Sequence, residues 1–563
     1  MAEKIKFTQG TPFRLLAGVV SLALASVFVL LQVVPNLPTV MGDELIYSTQ
    51  ARLSDLDEVL YGNFLHAWVY SLVDYLPIDS YLAVKVINAI FLFTYGAAIW
   101  KFATFALRPW IALAVALATV LGPVGLYTSF FMPEMMFFAF FTWSITFLVW
   151  GKLSEEKNYL FLLAASALSM SLASIVKPHA LFALPLFGAI LFGSKLRNWS
   201  RGLLEAVGYV ALTIILKLAF GFLLAGTAGL TLLANYQRGF NSIISDLFGF
   251  LGGAEESPGT VAPAETSGIA NETIQTVPFL LTQAGQFLLA VLAIAGVPMI
   301  ISLANLRRDR SILIWLGPAL IGYYIVLISA FALYVSQGGD DHSDRILLRY
   351  FEFLFPLVII AALYALVRDD RGNVYRYPFV MVATAGSLIA LGLGFSWVDI
   401  LMADSSYLVG IFKSADASWL IGLGSVALAT IWLAQYKYRV AIASVAILLT
   451  SAGAGISAHS YQNQINSTMV ASDYAGDYVR ENYPDVPGSR FLVLGANKQL
   501  TQAGIFRMEK RDVEYRLFRP GSVLPESEIG EDLIVVTIGD IFLDSEASYE
   551  DARGFRIYND PAD

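Results

Sequence analysis

The sequence predicts an all-α polytopic membrane protein of about thirteen transmembrane helices, followed by a small α/β domain, and three observations carry that reading. The 563 residues are 57% hydrophobic and 14% charged, with a mean hydropathy of +0.63, against about 25% charged residues in an ordinary soluble domain. Uncharged runs such as 15–35 and 312–335 reach the roughly 20 residues that cross a 30 Å hydrocarbon layer as a helix. The formal net charge of −9 is concentrated at one end, where residues 459–563 hold 18 Asp and Glu against 10 Lys and Arg. An acidic, water-soluble unit therefore follows the apolar part. Nothing is basic enough to bind nucleic acid, and a chain with no cysteine has neither disulfides nor thiolate metal sites.

Taken in order, hydropathy places spans near 13–35, 82–104, 110–127, 135–150, 159–176, 179–193, 203–225, 286–304, 311–335, 350–367, 379–396, 418–435 and 440–457. The first follows Lys4, Lys6 and Arg14 as a signal peptide would, but it is long and lacks a small-residue cleavage site, so it reads as a retained helix. Short basic connections set the orientation. Lys101 and Arg108, Lys152 and Lys157, Lys195 with Arg197 and Arg201, Arg307 with Arg308 and Arg310, Arg368 with Arg371 and Arg376, and Lys437 with Arg439 all fall on the side of the basic N-terminus. The positive-inside rule makes that side cytoplasmic. The expected location is thus a cell (plasma or inner) membrane, with the C-terminal domain outside.

Two domains follow: a transmembrane unit over 1–457, with external loops 36–81, 226–285, 336–349 and 397–417, and a soluble extracytoplasmic α/β unit over 458–563. In the first loop, Leu53, Leu56, Val59 and Leu60, then Phe64, Trp68, Leu72 and Tyr75, recur at helical spacing, which predicts two amphipathic helices on the membrane surface. Residues 252–267 are rich in Gly, Pro, Ala, Glu and Ser, a composition that favours a mobile, lid-forming loop. In the tail, 474–482 reads as a helix and 491–494, 514–518 and 533–538 as strands.

The polar chemistry gathers on the external side. Asp43 and Glu44 directly follow the first span, where a partly desolvated carboxylate is placed to take a proton from a hydroxyl; a helix N-cap is the competing reading. Glu134 opens the fourth span among Phe and Met side chains, a costly place for an acid unless it meets a cation, water or a polar substrate, although the helix dipole alone also favours an acid there. Lys177, in Lys177-Pro178-His179, stands against the positive-inside trend and suggests a fixed anion such as a lipid phosphate, with snorkelling as its alternative. Asp340, Asp341, His342, Asp344, Arg345, Arg349, Tyr350 and Glu352 form a dense cluster entering the tenth span. Arg345 and Arg349, four apart, suit a phosphate or diphosphate, whereas His342 and the aspartates match no standard metal spacing. Lys85 and Lys217, within spans, are further candidate anion partners. His66 reads as interfacial and His179, Asp344, Tyr350 and Glu352 as substrate-facing.

Together these positions resemble the GT-C superfamily of membrane glycosyltransferases, which includes protein O-mannosyltransferases, the aminoarabinose transferase of lipid A and mycobacterial arabinosyltransferases. The likeness spans residues 10–457 and rests on Asp43-Glu44 after the first span, Glu134 before the fourth, Lys177-Pro178 between apolar runs, and Arg349-Tyr350 before the helix containing Pro356. The chain departs from the pattern at Asn63-Phe64-Leu65-His66, where a His-Pro-Pro type run is expected, and in its tail.

The resemblance implies inverting transfer of a monosaccharide from a polyprenyl-phosphate donor to a hydroxyl of a cell-envelope glycan, lipid or protein, as in polysaccharide biosynthesis. Asp43 would be the base, Glu44 or Glu134 would orient donor or acceptor, and Lys177, Arg345, Arg349 and Lys85 would hold the donor phosphate, with His66 among the substrate-binding residues. No metal or other cofactor is then required in principle, and a metal-assisted version stays open. Two other readings stand beside it: a transporter or flippase of a lipid-linked or anionic substrate, and a ligase or polymerase that uses a diphosphate-linked glycan.

Overall fold

The computed structural model describes residues 12–234, 269–306, 311–337, 345–368, 402–413 and 439–559, apart from a few short gaps, with scattered residues between 381 and 430. Among these, eight helices are long and apolar enough to cross a membrane, or nine if a pair bent by 48° counts as one span. They belong to α1 (Pro12–Val33), α4 (Ser80–Ala103), α6 (Glu134–Leu153), α7 (Glu156–Val176), α9 (Trp199–Ala225), α10 (Ile269–Asn305), α11 (Ile312–Gln337) and α14 (Arg439–Asn466). The bent pair is α5 (Pro109–Val120) with the 3₁₀ turn Pro123–Ser129. Gly122-Pro123 breaks the expected span 110–127, because proline cannot donate to the helix ladder and disfavours the helical conformation before it.

Two further expected spans contain shorter helices for similar reasons. Residues 179–193 fold as the 3₁₀ turn Pro178–Ala183 followed by α8 (Leu184–Gly193), and 350–367 as the 3₁₀ turns Leu348–Tyr350 and Glu352–Leu354 followed by α12 (Phe355–Arg368). The expected spans 379–396 and 418–435, the lid-like stretch 252–267 and Asp344 lie largely or wholly outside the described residues.

The first loop, between α1 and α4, is helical, but not in the expected register. Its first helix is α2 (Gly42–Arg52), begun by Asp43 and Glu44, whose charges favour a helix N-terminus, while the predicted 53–60 repeat yields only the turn Leu56–Glu58. The second, α3 (Phe64–Ser71), buries Phe64, His66, Ala67 and Tyr70 and leaves Trp68 exposed, with Leu72 and Tyr75 exposed just beyond its end. One apolar core joins these elements to the spans.

Beyond α14 and the short α13 (Ser406–Phe412), the chain closes with α15 (Ala471–Asn482), β1 (Phe491–Gly495), α16 (Lys498–Met508), β2 (Glu514–Leu517), β3 (Val523–Leu524), β4 (Ile534–Ile538), β5 (Phe542–Leu543), β6 (Tyr549–Asp551) and β7 (Phe555–Tyr558). The main sheet has the order β2-β1-β4-β7-β6, with β1 parallel to β2 and β4, and β7 antiparallel to β4 and β6. Central strands β1 and β4 are buried along their whole length, which is why they read as near-continuous apolar runs, broken only by Thr537 in β4. The domain rests on the first loop, the start of α4 and the segment before α6: Arg52 Nη2 lies 2.9 Å from Glu509, Arg511 Nη1 2.6 Å from Glu58, and the Phe506 ring packs edge-on against Tyr81 and Phe131.

Candidate functional site

Five separate segments place one cluster of charge at the end of the helical bundle that carries α2. Lys177 ends the run of α7, where Pro178 breaks the helix, and its Nζ donates to Glu134 Oε1 at 2.6 Å. Glu134 is the first residue of α6, and both side chains are almost wholly buried. Arg349, in the turn before α12, donates from Nη2 to Asp43 Oδ2 at 2.6 Å. Arg345 donates to both carboxylate oxygens of Asp404, at 2.8 and 3.0 Å, in a bidentate pair. Arg349 Nε stands 3.8 Å from the same carboxylate, and its backbone N–H donates to the Asp404 carbonyl at 2.7 Å.

Tyr350 joins the two halves. Its ring centre lies 5.1 Å from Lys177 Nζ and 5.2 Å from the Arg349 guanidinium carbon, and the His179 ring packs on it at 4.9 Å. Lys177, Arg345 and Arg349, distant in sequence, thus share one site with the acids Asp43, Glu134 and Asp404. Three positive and three negative charges balance there. Asp43 is the carboxylate with room: 45% of its side chain is accessible, against 1% for both Glu134 and Asp404. The Asp43 side chain is thus only partly buried, while its two companion acids are enclosed. Burial pushes its carboxyl up, but the charge and hydrogen bond of Arg349, helped by Lys177 and Arg345, hold it below the ordinary 3.8.

Other residues expected at a site have different work. Glu44 points into the core, where Oε1 accepts the Phe131 N–H at 2.7 Å, and burial raises its carboxyl to about 7 despite that bond. It ties α2 to the segment before α6 and does not reach the cluster as a catalytic acid would. Lys85 donates to the carbonyls of Asn36 at 2.6 Å and Val34 at 3.2 Å, so it caps the end of α1 and is not a phosphate ligand here. Lys217 likewise donates to the Thr231 carbonyl.

Glu352 accepts from Ser406 Oγ at 2.9 Å and faces the backbone N–H groups of Ser406 and Tyr407 at 3.4 Å. It is fully buried and anchors the start of α13 instead of facing a substrate. His66 is enclosed by Tyr47, Tyr70 and Phe131 with Asn63 at 3.3 Å, and no part of it is open to a ligand. Burial, reinforced by the charge of Lys177, lowers it to about 3, so the ring is neutral. Asp344 and His342 lie outside the described residues, among which no three His, Asp or Glu side chains are placed to hold a metal ion.

The sequence reading missed Asp404, the residue that holds both arginines. Its signal lay in Ala403-Asp404-Ser405-Ser406, an isolated acid followed by Ser405, whose hydroxyl caps α13 by accepting the Leu408 N–H.

No protein-family profile and no curated protein matches the chain. A solved structure, the oligosaccharyltransferase of Archaeoglobus fulgidus in complex with Zn and sulfate, is similar at a TM-score of 0.43 and 13% identity over 92% of this chain and 68% of that one.

Proposed function

We propose that the protein is a GT-C type glycosyltransferase that moves a monosaccharide from a polyprenyl-phosphate donor to a hydroxyl acceptor at the outer membrane face. The observation that carries the reading is the cluster at Asp43: a partly exposed carboxylate bonded to Arg349, with Lys177 and Arg345 alongside. A lipid phosphate entering there finds three fixed cations, and the acceptor finds a carboxylate that can take its proton.

In the reaction, Asp43 takes the proton of the acceptor hydroxyl as that oxygen bonds to the anomeric carbon from the side opposite the phosphate. The bond from carbon to phosphate oxygen breaks, its electron pair stays on the phosphate, and Lys177, Arg345 and Arg349 stabilise the added charge. The configuration inverts. Before donor binding, Arg349 occupies Asp43 and depresses its basicity. The donor phosphate competes for Arg349, frees Asp43 and raises its proton affinity, so the donor binds before the base becomes effective.

Charge balance favours a monophosphate donor. The cluster of six ionised groups is neutral, and a phosphodiester adds one negative charge where a diphosphate adds two. Each uncompensated charge in so buried a site is expensive. A transfer assay with purified protein and isolated polyprenyl-phosphate or polyprenyl-diphosphate sugars tests the reading. Product from the monophosphate class alone supports it; product only from the diphosphate class refutes the donor assignment, and none from either refutes the activity.

A further inference from the structure

The C-terminal domain meets the transmembrane unit at the helix that carries the proposed base. Helix α2 opens with Asp43 in the charged cluster and closes with Arg52, about 14 Å further on at 1.5 Å per residue. The Arg52 side chain is only 7% exposed, and its guanidinium bridges two partners. Nε donates to Asp74 Oδ1 at 2.9 Å, and Nη2 lies 2.9 Å from Oε1 of Glu509, the residue that ends α16. Asp74 also accepts from the Ser80 hydroxyl at the start of α4. One side chain thus ties the far end of α2 to the bundle and to the C-terminal domain.

Helix α16 has two working faces. Ile505 and Met508 belong to the domain's own core, whereas Ala503 and Phe506 belong to the core of the bundle, and Leu45, two residues after Asp43, packs against both. The Phe506 ring packs edge-on against Phe131, whose backbone N–H donates to Glu44, so α16 also backs the bond that fixes the first turn of α2. Glu509 has φ +53°, the left-handed region in which glycine is the usual helix terminator. A glutamate there supplies the carboxylate that meets Arg52 and, at 3.6 Å, Arg480. Helix α16 is itself held firmly: a Cβ on Gly476 would overlap the Gly504 carbonyl, so α15 and α16 cross backbone to backbone, and Arg507 meets Asp473 and Asp477 across the crossing at 2.7 and 3.2 Å.

We propose that the C-terminal domain is the positioning element for the base: α16, through Arg52 and Phe506, fixes the direction of α2 and so the placing of Asp43. The inference rests on the transfer reading, in which the donor phosphate draws Arg349 away from Asp43. At that moment the first turn of α2 loses one of its tethers, and the bonds of Glu44 and Arg52 are left to hold the helix. A catalytic group displaced by about 1 Å can lose about 100-fold in rate. Arg52 and Phe506 act through α2 and Phe131 and are positioning residues.

The test uses full-length protein in detergent micelles, with donor binding, single-turnover transfer from a polyprenyl-phosphate sugar and amide hydrogen exchange measured on wild type, Arg52→Gln, Phe506→Leu and Glu509→Gln. Glu509→Gln alters a partly exposed side chain and keeps the domain folded, so the proposal stays testable if either other variant does not fold. Each folded variant is expected to keep donor affinity within about twofold while transfer slows by about tenfold, or by about threefold in Glu509→Gln, the signature of a group misplaced after binding. The amides of 43–52 should exchange faster, with those of α6 unchanged. Wild-type transfer in the folded variants, slower transfer without faster exchange in α2, or slower transfer accounted for by lost donor binding would each overturn the proposal and leave the transfer reading standing. A wild type that transfers no sugar would refute that reading and the proposal with it.

Discussion

Removing one partner of the Lys177–Glu134 pair should separate its structural from its functional share. The two charged groups meet at 2.6 Å with 6% and 1% of their side chains exposed. At an effective dielectric of about 20 their attraction is about 6 kcal/mol, most of it offset by the desolvation of both ions. Glu134→Gln leaves a buried lysine unpaired and should cost about 3–5 kcal/mol of stability, whereas Glu134→Gln with Lys177→Met removes both charges and should recover most of that loss. Activity should run the other way. Glu134→Gln keeps Lys177 for the donor phosphate and should retain transfer with equal or higher donor affinity, while the double variant should fall by about 100-fold or more. Equilibrium unfolding in mixed micelles gives the first quantity and transfer from a polyprenyl-phosphate sugar the second. If stability and activity fall in parallel across wild type and the two variants, Lys177 is a structural residue only and the phosphate assignment fails.

The remaining predictions concern charge and sidedness. Arg349 depresses Asp43, so Arg349→Gln should raise the Asp43 pKa and move the acid limb of the kcat/KM profile to higher pH; an unmoved limb would sever that coupling. Glu44 binds its proton more tightly folded, at about 7, than its ordinary 4.5, so stability should be highest below pH 4.5 and decline by about 3 kcal/mol as pH rises to 7. Glu44→Gln should abolish this slope and stay active, and a slope that persists in the variant would assign it to another group. A reporter active only in the cytoplasm, fused after Asp563, should be silent; strong signal would reverse the orientation and the sidedness of the site.

Much of this was legible in the sequence because the membrane forces it to be. A helix such as α4 or α11 must be predominantly apolar to cross a membrane, so hydropathy finds it, and the parallel strands β1 and β4 appear as short apolar runs. Elements shaped by local backbone chemistry were harder. The break at Gly122-Pro123 lies inside an apolar run, and Gly455 is inconspicuous although a Cβ there would overlap the Leu121 carbonyl where α14 crosses this turn. Helix α16 and the short strands β3, β5, β6 and β7 carry too little periodicity to stand out.

Among the site residues, the sequence distinguishes costly charges from ordinary ones but not how they pair. Lys177, Arg345 and Arg349 were visible because a cation beside lipid needs a reason. Lys85 was visible for the same reason, yet its partners are backbone carbonyls, which no pattern of side chains reveals. Adjacent Asp43 and Glu44 look equivalent in one dimension, and only the fold sends one to Arg349 and the other to the Phe131 N–H.

The central claim, that Asp43 is a base held by Arg349 until a donor phosphate arrives, is tested most directly by Asp43→Asn, with donor binding and single-turnover transfer measured on the same purified protein. The variant should fold, bind the polyprenyl-phosphate sugar at least as tightly as wild type because Arg349 no longer has a competing carboxylate, and transfer about 100-fold more slowly or worse, the usual loss for a positioned general base. Transfer at near wild-type rate, or loss of donor binding in a folded variant, would contradict it.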